Sequence, residues 1–137
     1  MKLTFHHVGV GTTEFDKTVE TYIALGHRLY CSVDDPLLNV RVAFLASPGD
    51  LSLWIEVLAP LGVNGPLQSL IARNLLPSPY HTCYSVPQLG EAGEELLLRG
   101  FLPIGEPRAA LAFNGARVAF FYHPAIGLME LVESPPF

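Results

Sequence analysis

The sequence predicts an α+β fold: two tandem βαβββ modules that form a curved mixed sheet around one cleft. Three observations carry this. Chemically matched residues recur 74 positions apart, with His7 answered by His81, Gly26 by Gly100 and Glu56 by Glu130. Each half contains one helical period among short β-type runs. With 12 glycines and 12 prolines in 137 residues, elements must be short and turns many. The neighbourhoods of the matched residues agree as well. His6-His7-Val8-Gly9-Val10 answers Tyr80-His81-Thr82-Cys83-Tyr84, and Ile55-Glu56-Val57-Leu58 answers Met129-Glu130-Leu131-Val132. Val42-Ala43-Phe44-Leu45 answers Val118-Ala119-Phe120-Phe121 at a spacing of 76, a small loop insertion of the kind a duplication tolerates.

In order, residues 4–11 read as a strand. Residues 15–25 suit a helix, with Val19, Tyr22 and Ile23 at i, i+3 and i+4 and Gly26 where a glycine ends a helix. Residues 27–33 form a second strand, stopped by Asp34-Asp35-Pro36. Residues 40–46 form a third, with Ser47-Pro48-Gly49-Asp50 as its turn, and 51–58 a fourth. The second half repeats the order: a strand at 80–86, a helix at 88–99, and strands near 101–105, 116–122 and 127–133. The chain therefore reads as a single domain over 1–137, with modules 1–60 and 80–134. The linker 61–79 holds a short helical piece from Leu67 to Asn74, and Ser134-Pro135-Pro136-Phe137 reads as an irregular tail. A βαβββ module covers one sheet face with its helix, so two of them side by side would curve their bare faces around a shared cleft.

Composition narrows the function. The chain is half hydrophobic and 15% charged, which excludes intrinsic disorder. Its net charge of −5 argues against a nucleic-acid partner, which needs a basic footprint. No apolar run reaches the ~18–20 residues of a membrane span. The start, Met1 to His7, has no apolar segment suited to export, and Cys31 and Cys83 form no CxxC pair. These features predict a cytoplasmic protein with reduced thiols. The apolar excess beyond one plain core predicts a pocket and a homodimer interface. No phosphate-binding glycine loop and no GxSxG elbow is present.

Glu56 and Glu130 are the most informative residues. Each interrupts an apolar strand, where an unpaired carboxylate costs several kcal/mol of desolvation. Burying one at equivalent places in both halves calls for a compensating partner. His7 and His81 stand at equivalent places in the first strand of each module. Together these four make a two-fold related set of imidazoles and carboxylates suited to a divalent ion: Co, Mn, Ni, Zn or Fe. Period-2 alternation puts Trp54, Glu56 and Leu58 on one face, so apolar groups would flank the ion. The same alternation points His6 away from His7 and gives it a structural role. Arg73, after the linker helix, and His123, before the last strand, are candidate substrate contacts beside Trp54.

These residues resemble the vicinal oxygen chelate superfamily, which includes glyoxalase I, extradiol dioxygenases and bleomycin-resistance proteins. Within it the chain is similar to the methylmalonyl-CoA epimerases. The matching pieces are His6-His7-Val8-Gly9-Val10, the run from Ile55 to Gly62, Gly65-Pro66-Leu67, His81-Thr82-Cys83-Tyr84-Ser85-Val86, Phe121-Tyr122-His123-Pro124 and Gly127-Leu128-Met129-Glu130-Leu131. The resemblance implies paired βαβββ modules around a metal cleft, with the ion at His7, Glu56, His81 and Glu130. It implies an isomerase or epimerase that removes the proton α to a carbonyl of a small-molecule acyl thioester, with an acyl-CoA as one candidate and Glu130 as one proton-transfer group. The alternatives are a glyoxalase-I-type lyase acting on a thiol hemithioacetal and a non-catalytic ligand-binding or resistance module. One departure stands out. The epimerases carry a second glutamate where this chain has Leu37, within Pro36-Leu37-Leu38-Asn39-Val40. Asp35, or Asp34 beside it, is the expected substitute after a small loop shift.

Overall fold

The computed structural model describes all residues, 1–137. Eight strands form one sheet: β1 (Thr4–Gly11), β2 (Arg28–Asp35), β3 (Val40–Ala46), β4 (Trp54–Pro60), β5 (Ser78–Val86), β6 (Leu102–Ala109), β7 (Arg117–His123) and β8 (Gly127–Glu133). The helices are α1 (Phe15–Ala24), α2 (Gln68–Ala72) and α3 (Leu89–Leu98), and a 3₁₀ turn spans Leu111–Phe113. The strand order is β2-β3-β4-β1-β5-β8-β7-β6. The order is a palindrome of two halves: β1 runs parallel to β4, β5 runs parallel to β8, and β1 and β5 join antiparallel at the centre. The modules thus pair within one chain.

Alternation along the strands decides which face each residue takes. In β3, Ala43 and Leu45 turn to the outer face, where with Val57 they pack beneath Val19 of α1. Val42 and Phe44 turn inward and join Leu58, Phe113, Val118 and Val132. In the other half Ala119, Phe121, Met129 and Leu131 meet Leu89, Ala92 and Leu96, the i, i+3, i+7 stripe of α3. Phe44 and Leu45 are adjacent and both fully buried, so β3 is covered on both faces. Truncating such side chains costs about 2–5 kcal/mol each.

Several expected boundaries shift, with physical causes. The buried stripe of α1 is Phe15, Val19 and Tyr22, while Ile23 is exposed, because 15, 19 and 22 share one side of a 3.6-residue helix. The fourth strand begins at Trp54, not 51. Asp50 accepts from the amide and hydroxyl of Ser52 and draws 51–53 into the turn. The sixth strand runs to Ala109. Its register breaks between Ile104 and Arg108, around Gly105 with φ 74° and Pro107 on this edge strand. Gly26 and Gly100 end α1 and α3 with φ of 101° and 88°, as the duplication predicts. No helix is long and apolar enough to cross a membrane.

Candidate metal centre and its cavity

His7, Glu56, His81 and Glu130 converge from the four central strands at the seam between the halves. Their candidate ligand atoms all lie within 4.8 Å of one another, and all four residues are buried. Strand register brings them together. Gly9 of β1 stands between Glu56 on one side and His81 on the other, and Cys83 of β5 stands between His7 and Glu130. Phe44 and Phe120, the matched aromatic pair, lie beside Glu56 and Glu130 in the sheet and back the two imidazoles at 5.1 and 5.7 Å.

The contacts fit an ion. His7 Nε2 lies 3.3 Å from both Glu56 Oε1 and Glu130 Oε2, and His81 Nε2 lies 3.2 and 3.0 Å from the same two atoms. The two Nε2 atoms are 3.0 Å apart. Ligands held at about 2.1 Å from a common ion stand about 3.0–3.4 Å from each other at tetrahedral or octahedral angles. Glu56 Oε1 and Glu130 Oε2 are buried, yet no directed hydrogen bond reaches them. Buried carboxylate oxygens without such partners, facing two imidazole nitrogens, have the chemistry of a divalent-cation site.

Without an ion, protons take its place. Burial pulls the His81 imidazole down, but contact with Glu130 and Glu56 outweighs it and lifts the pKa to about 9. His7 is raised by the same balance. Burial pushes both glutamates up, and the adjacent imidazoles overcome it and hold them below the usual carboxylate range. Burial, and then the nearby carboxylates, raise Tyr80 and Cys83.

The carboxylates open onto a cavity of about 450 Å³ on the concave face, whereas the histidines lie behind them. Its walls include Leu37, Val42, Leu58, Tyr80, Val118 and Phe120. Arg108 is the one basic residue on its lining, and its guanidinium donates to the Leu37 carbonyl. Leu37, at the position where the resemblance leads one to expect a carboxylate, does line this cavity.

The other sequence candidates fall elsewhere. Asp35 borders the cavity, but its oxygens are occupied. Oδ1 accepts from the amides of Leu37 and Leu38, and Oδ2 accepts from the amide of Leu111. Those bonds fasten the β2–β3 turn to the 3₁₀ turn, so Asp35 is a bracing residue in this geometry. Asp34 is exposed and paired with Arg41. Trp54 packs against Phe137 and Tyr30 and does not line the cavity. Arg73 is exposed at the end of α2, and His123 packs on Phe101 and accepts from the Ala125 amide; neither reaches the cavity.

His6 departs from the expected alternation. The β1–β5 register skips it between Phe5 and His7, a bulge that turns its ring beside His7 rather than away. Tyr80, Glu106 and Arg108 also line the cavity, and no motif in the sequence marks them for it. Gly9 and the phenylalanines Phe44 and Phe120 were visible in the repeat. Glu106 and Arg108 sit in the β6 irregularity, for which period-2 patterning has no signal.

Comparison with known proteins agrees with this architecture. The chain is 27% identical over 120 residues to an ethylmalonyl-CoA/methylmalonyl-CoA epimerase from Cereibacter sphaeroides, with 87% of each chain covered. The crystal structure of methylmalonyl-CoA epimerase from Mycobacterium tuberculosis superposes with a TM-score of 0.83 at 27% identity, over 96% of this chain and 88% of that one. A hypothetical protein from Bacillus halodurans superposes at 0.84 with 26% identity, over 100% and 98%. The profile of one superfamily matches residues 6–120, a stretch that contains three of the four clustered residues. By duplicated modules, curled eight-stranded sheet and profile alike, the chain belongs to the Glyoxalase/Bleomycin resistance protein/Dioxygenase superfamily.

Proposed function

We propose that this protein is a divalent-metal-dependent epimerase acting on the carbon α to the carbonyl of a small acyl thioester, an acyl-CoA by analogy with the Cereibacter sphaeroides enzyme. The observation that carries the reading is the buried pair of imidazoles and pair of carboxylates, the latter opening on an apolar cavity. His7, Glu56, His81 and Glu130 would hold the ion. A divalent cation there supplies Lewis acidity to a substrate carbonyl oxygen and so acidifies the neighbouring C–H.

The chain's own groups then divide the work. Glu130 faces the cavity and takes the α proton as the C–H bond breaks. Inversion requires a proton returned from the opposite side of the planar carbon. Asp35, the expected donor, is tied to three amides. This role therefore falls to Glu106, an exposed acid on the cavity lining that has no hydrogen-bond or ion-pair partner. Arg108 meets a carboxylate or phosphate of the substrate at the rim. Leu37, Val42 and Leu58 exclude water from the reacting carbon. Large exposed apolar side chains, among them Leu25, Leu29, Leu97 and Leu98, support the expected homodimer.

The test is metal analysis joined to α-proton exchange. Protein loaded with Co(II) or Mn(II) is expected to wash deuterium from D₂O into methylmalonyl-CoA and to lose that activity on chelation. Metal-loaded protein that exchanges no α proton across a panel of acyl-CoA thioesters would overturn the reading.

A further inference from the structure

We propose that His6 and the main-chain oxygen of Phe137 form a hydrogen-bond relay that fixes the tautomer and ring orientation of His7. The inference rests on the reading of His7 as a metal ligand. His6 Nε2 lies 2.6 Å from the Phe137 oxygen, and His6 Nδ1 lies 2.9 Å from His7 Nδ1. For an uncharged His6, donor counting leaves one arrangement. A carbonyl-type oxygen only accepts, so His6 Nε2 carries the hydrogen. A neutral imidazole has one N–H, so His6 Nδ1 is the acceptor. His7 Nδ1 must then donate to it. With its proton on Nδ1, a neutral His7 presents a bare Nε2, the atom that faces Glu56, Glu130 and His81. Ligating histidines commonly donate their remote N–H to a fixed acceptor, and that partner sets both ring angle and basicity.

Packing holds the relay in place. After β8, Ser134 adopts φ 41° and donates its amide to Val86 O, and the following residues carry the Phe137 ring into the concave face. There it lies 4.7–5.3 Å from Tyr30, Trp54, Phe44 and Phe113. His6 itself stacks near Trp54 and meets Phe113 edge-on. The β1 bulge is what brings His6 to the His7 side of the strand. His81, the matched residue of the other half, has no such support: its Nδ1 is buried without a hydrogen-bond partner. The two halves are alike in their ligands and unlike in what stands behind them.

His6→Phe keeps the aromatic packing and removes both nitrogens. It is expected to weaken Co(II) affinity about 10–100-fold and to alter the Co(II) visible spectrum. His6→Asn, whose amide oxygen can accept from His7 Nδ1, is expected to recover part of both. Phe137→Ala retains the main-chain oxygen and tests the packing separately. In wild-type protein loaded with Zn(II), ¹⁵N-resolved imidazole spectra are expected to place protons on His7 Nδ1 and His6 Nε2. Co(II) affinity and spectrum unchanged in His6→Phe would overturn the relay alone. If His6→Phe does not fold, the wild-type spectrum decides: a proton on His6 Nδ1, or none on His7 Nδ1, overturns it. Wild-type protein that takes up neither Co(II) nor Zn(II) overturns the metal reading and the relay with it.

Discussion

The His81 imidazole occupies the space a side chain on Gly9 would fill. A Cβ built at Gly9 falls 2.2 Å from His81 Cε1 and 2.7 Å from its Nε2. The sheet thus brings His81 to the four-residue cluster only because β1 has no side chain at that point. Gly9→Ala is expected to push the ring off its position. Overpacking of this kind costs about 1–3 kcal/mol, and Co(II) affinity is expected to fall at least about tenfold. Thermal unfolding and Co(II) titration of the variant check both numbers.

Metal binding should compete with protons at the two histidines. His81 holds its proton up to about pH 9 when no ion is present. An ion must displace it, so apparent affinity is expected to climb with pH through neutrality and level off above about 9. Each protonated ligand costs about tenfold per pH unit below its pKa. The metal-free protein has the opposite trend. The raised pKa means that His81⁺ contributes stability that is complete below its ordinary pKa of 6.5 and lost as pH rises through about 9. Melting temperatures with and without Co(II), from pH 6 to 9.5, are expected to diverge as pH increases.

Leu37 stands on the cavity wall where a second acid would serve. A well-placed general acid or base contributes about 10²–10⁴-fold. Leu37→Glu is therefore expected to raise methylmalonyl-CoA epimerisation by at least about tenfold, with little change in Co(II) affinity. A coupled assay of product stereochemistry, beside total α-proton exchange, reads the gain. A gain of that size would show that Glu106 fills the role only weakly, and no gain would mean that it already fills it.

Asp35 braces the fold through three amides. Removing its carboxylate leaves the amides of Leu37, Leu38 and Leu111 without their acceptor. Asp35→Ala is expected to destabilise the protein by about 2–3 kcal/mol. Urea unfolding measures this, and Co(II) uptake by the folded variant is expected to match wild type.

The duplication made most of the architecture legible. A fixed spacing of 74 carried the helix from one half to the other and marked His7, Glu56, His81 and Glu130 as one set. Strand periodicity then put each glutamate on the concave face. What stayed hidden came from departures from period 2. The bulge at His6 reverses the side that alternation predicts for it. The break near Gly105 puts Glu106 on the cavity lining. Phe137 belongs to an aromatic cluster drawn from β1, β2, β3, β4 and the 3₁₀ turn, so nothing local to residues 134–137 announces it. The three amides that Asp35 caps have no sequence signal, because a buried acid beside a turn reads the same whether it caps amides or moves protons.

The antiparallel joining of β1 to β5 sets how the cluster can come into being. Each half carries one imidazole and one carboxylate, and neither half alone offers more than two donors. The cluster exists only where the halves meet, and it joins residues 74 positions apart in the chain. An ion held there would act as a clasp across the join. It rewards only the fully docked chain, and parting the two modules to any degree must take the cluster apart with them.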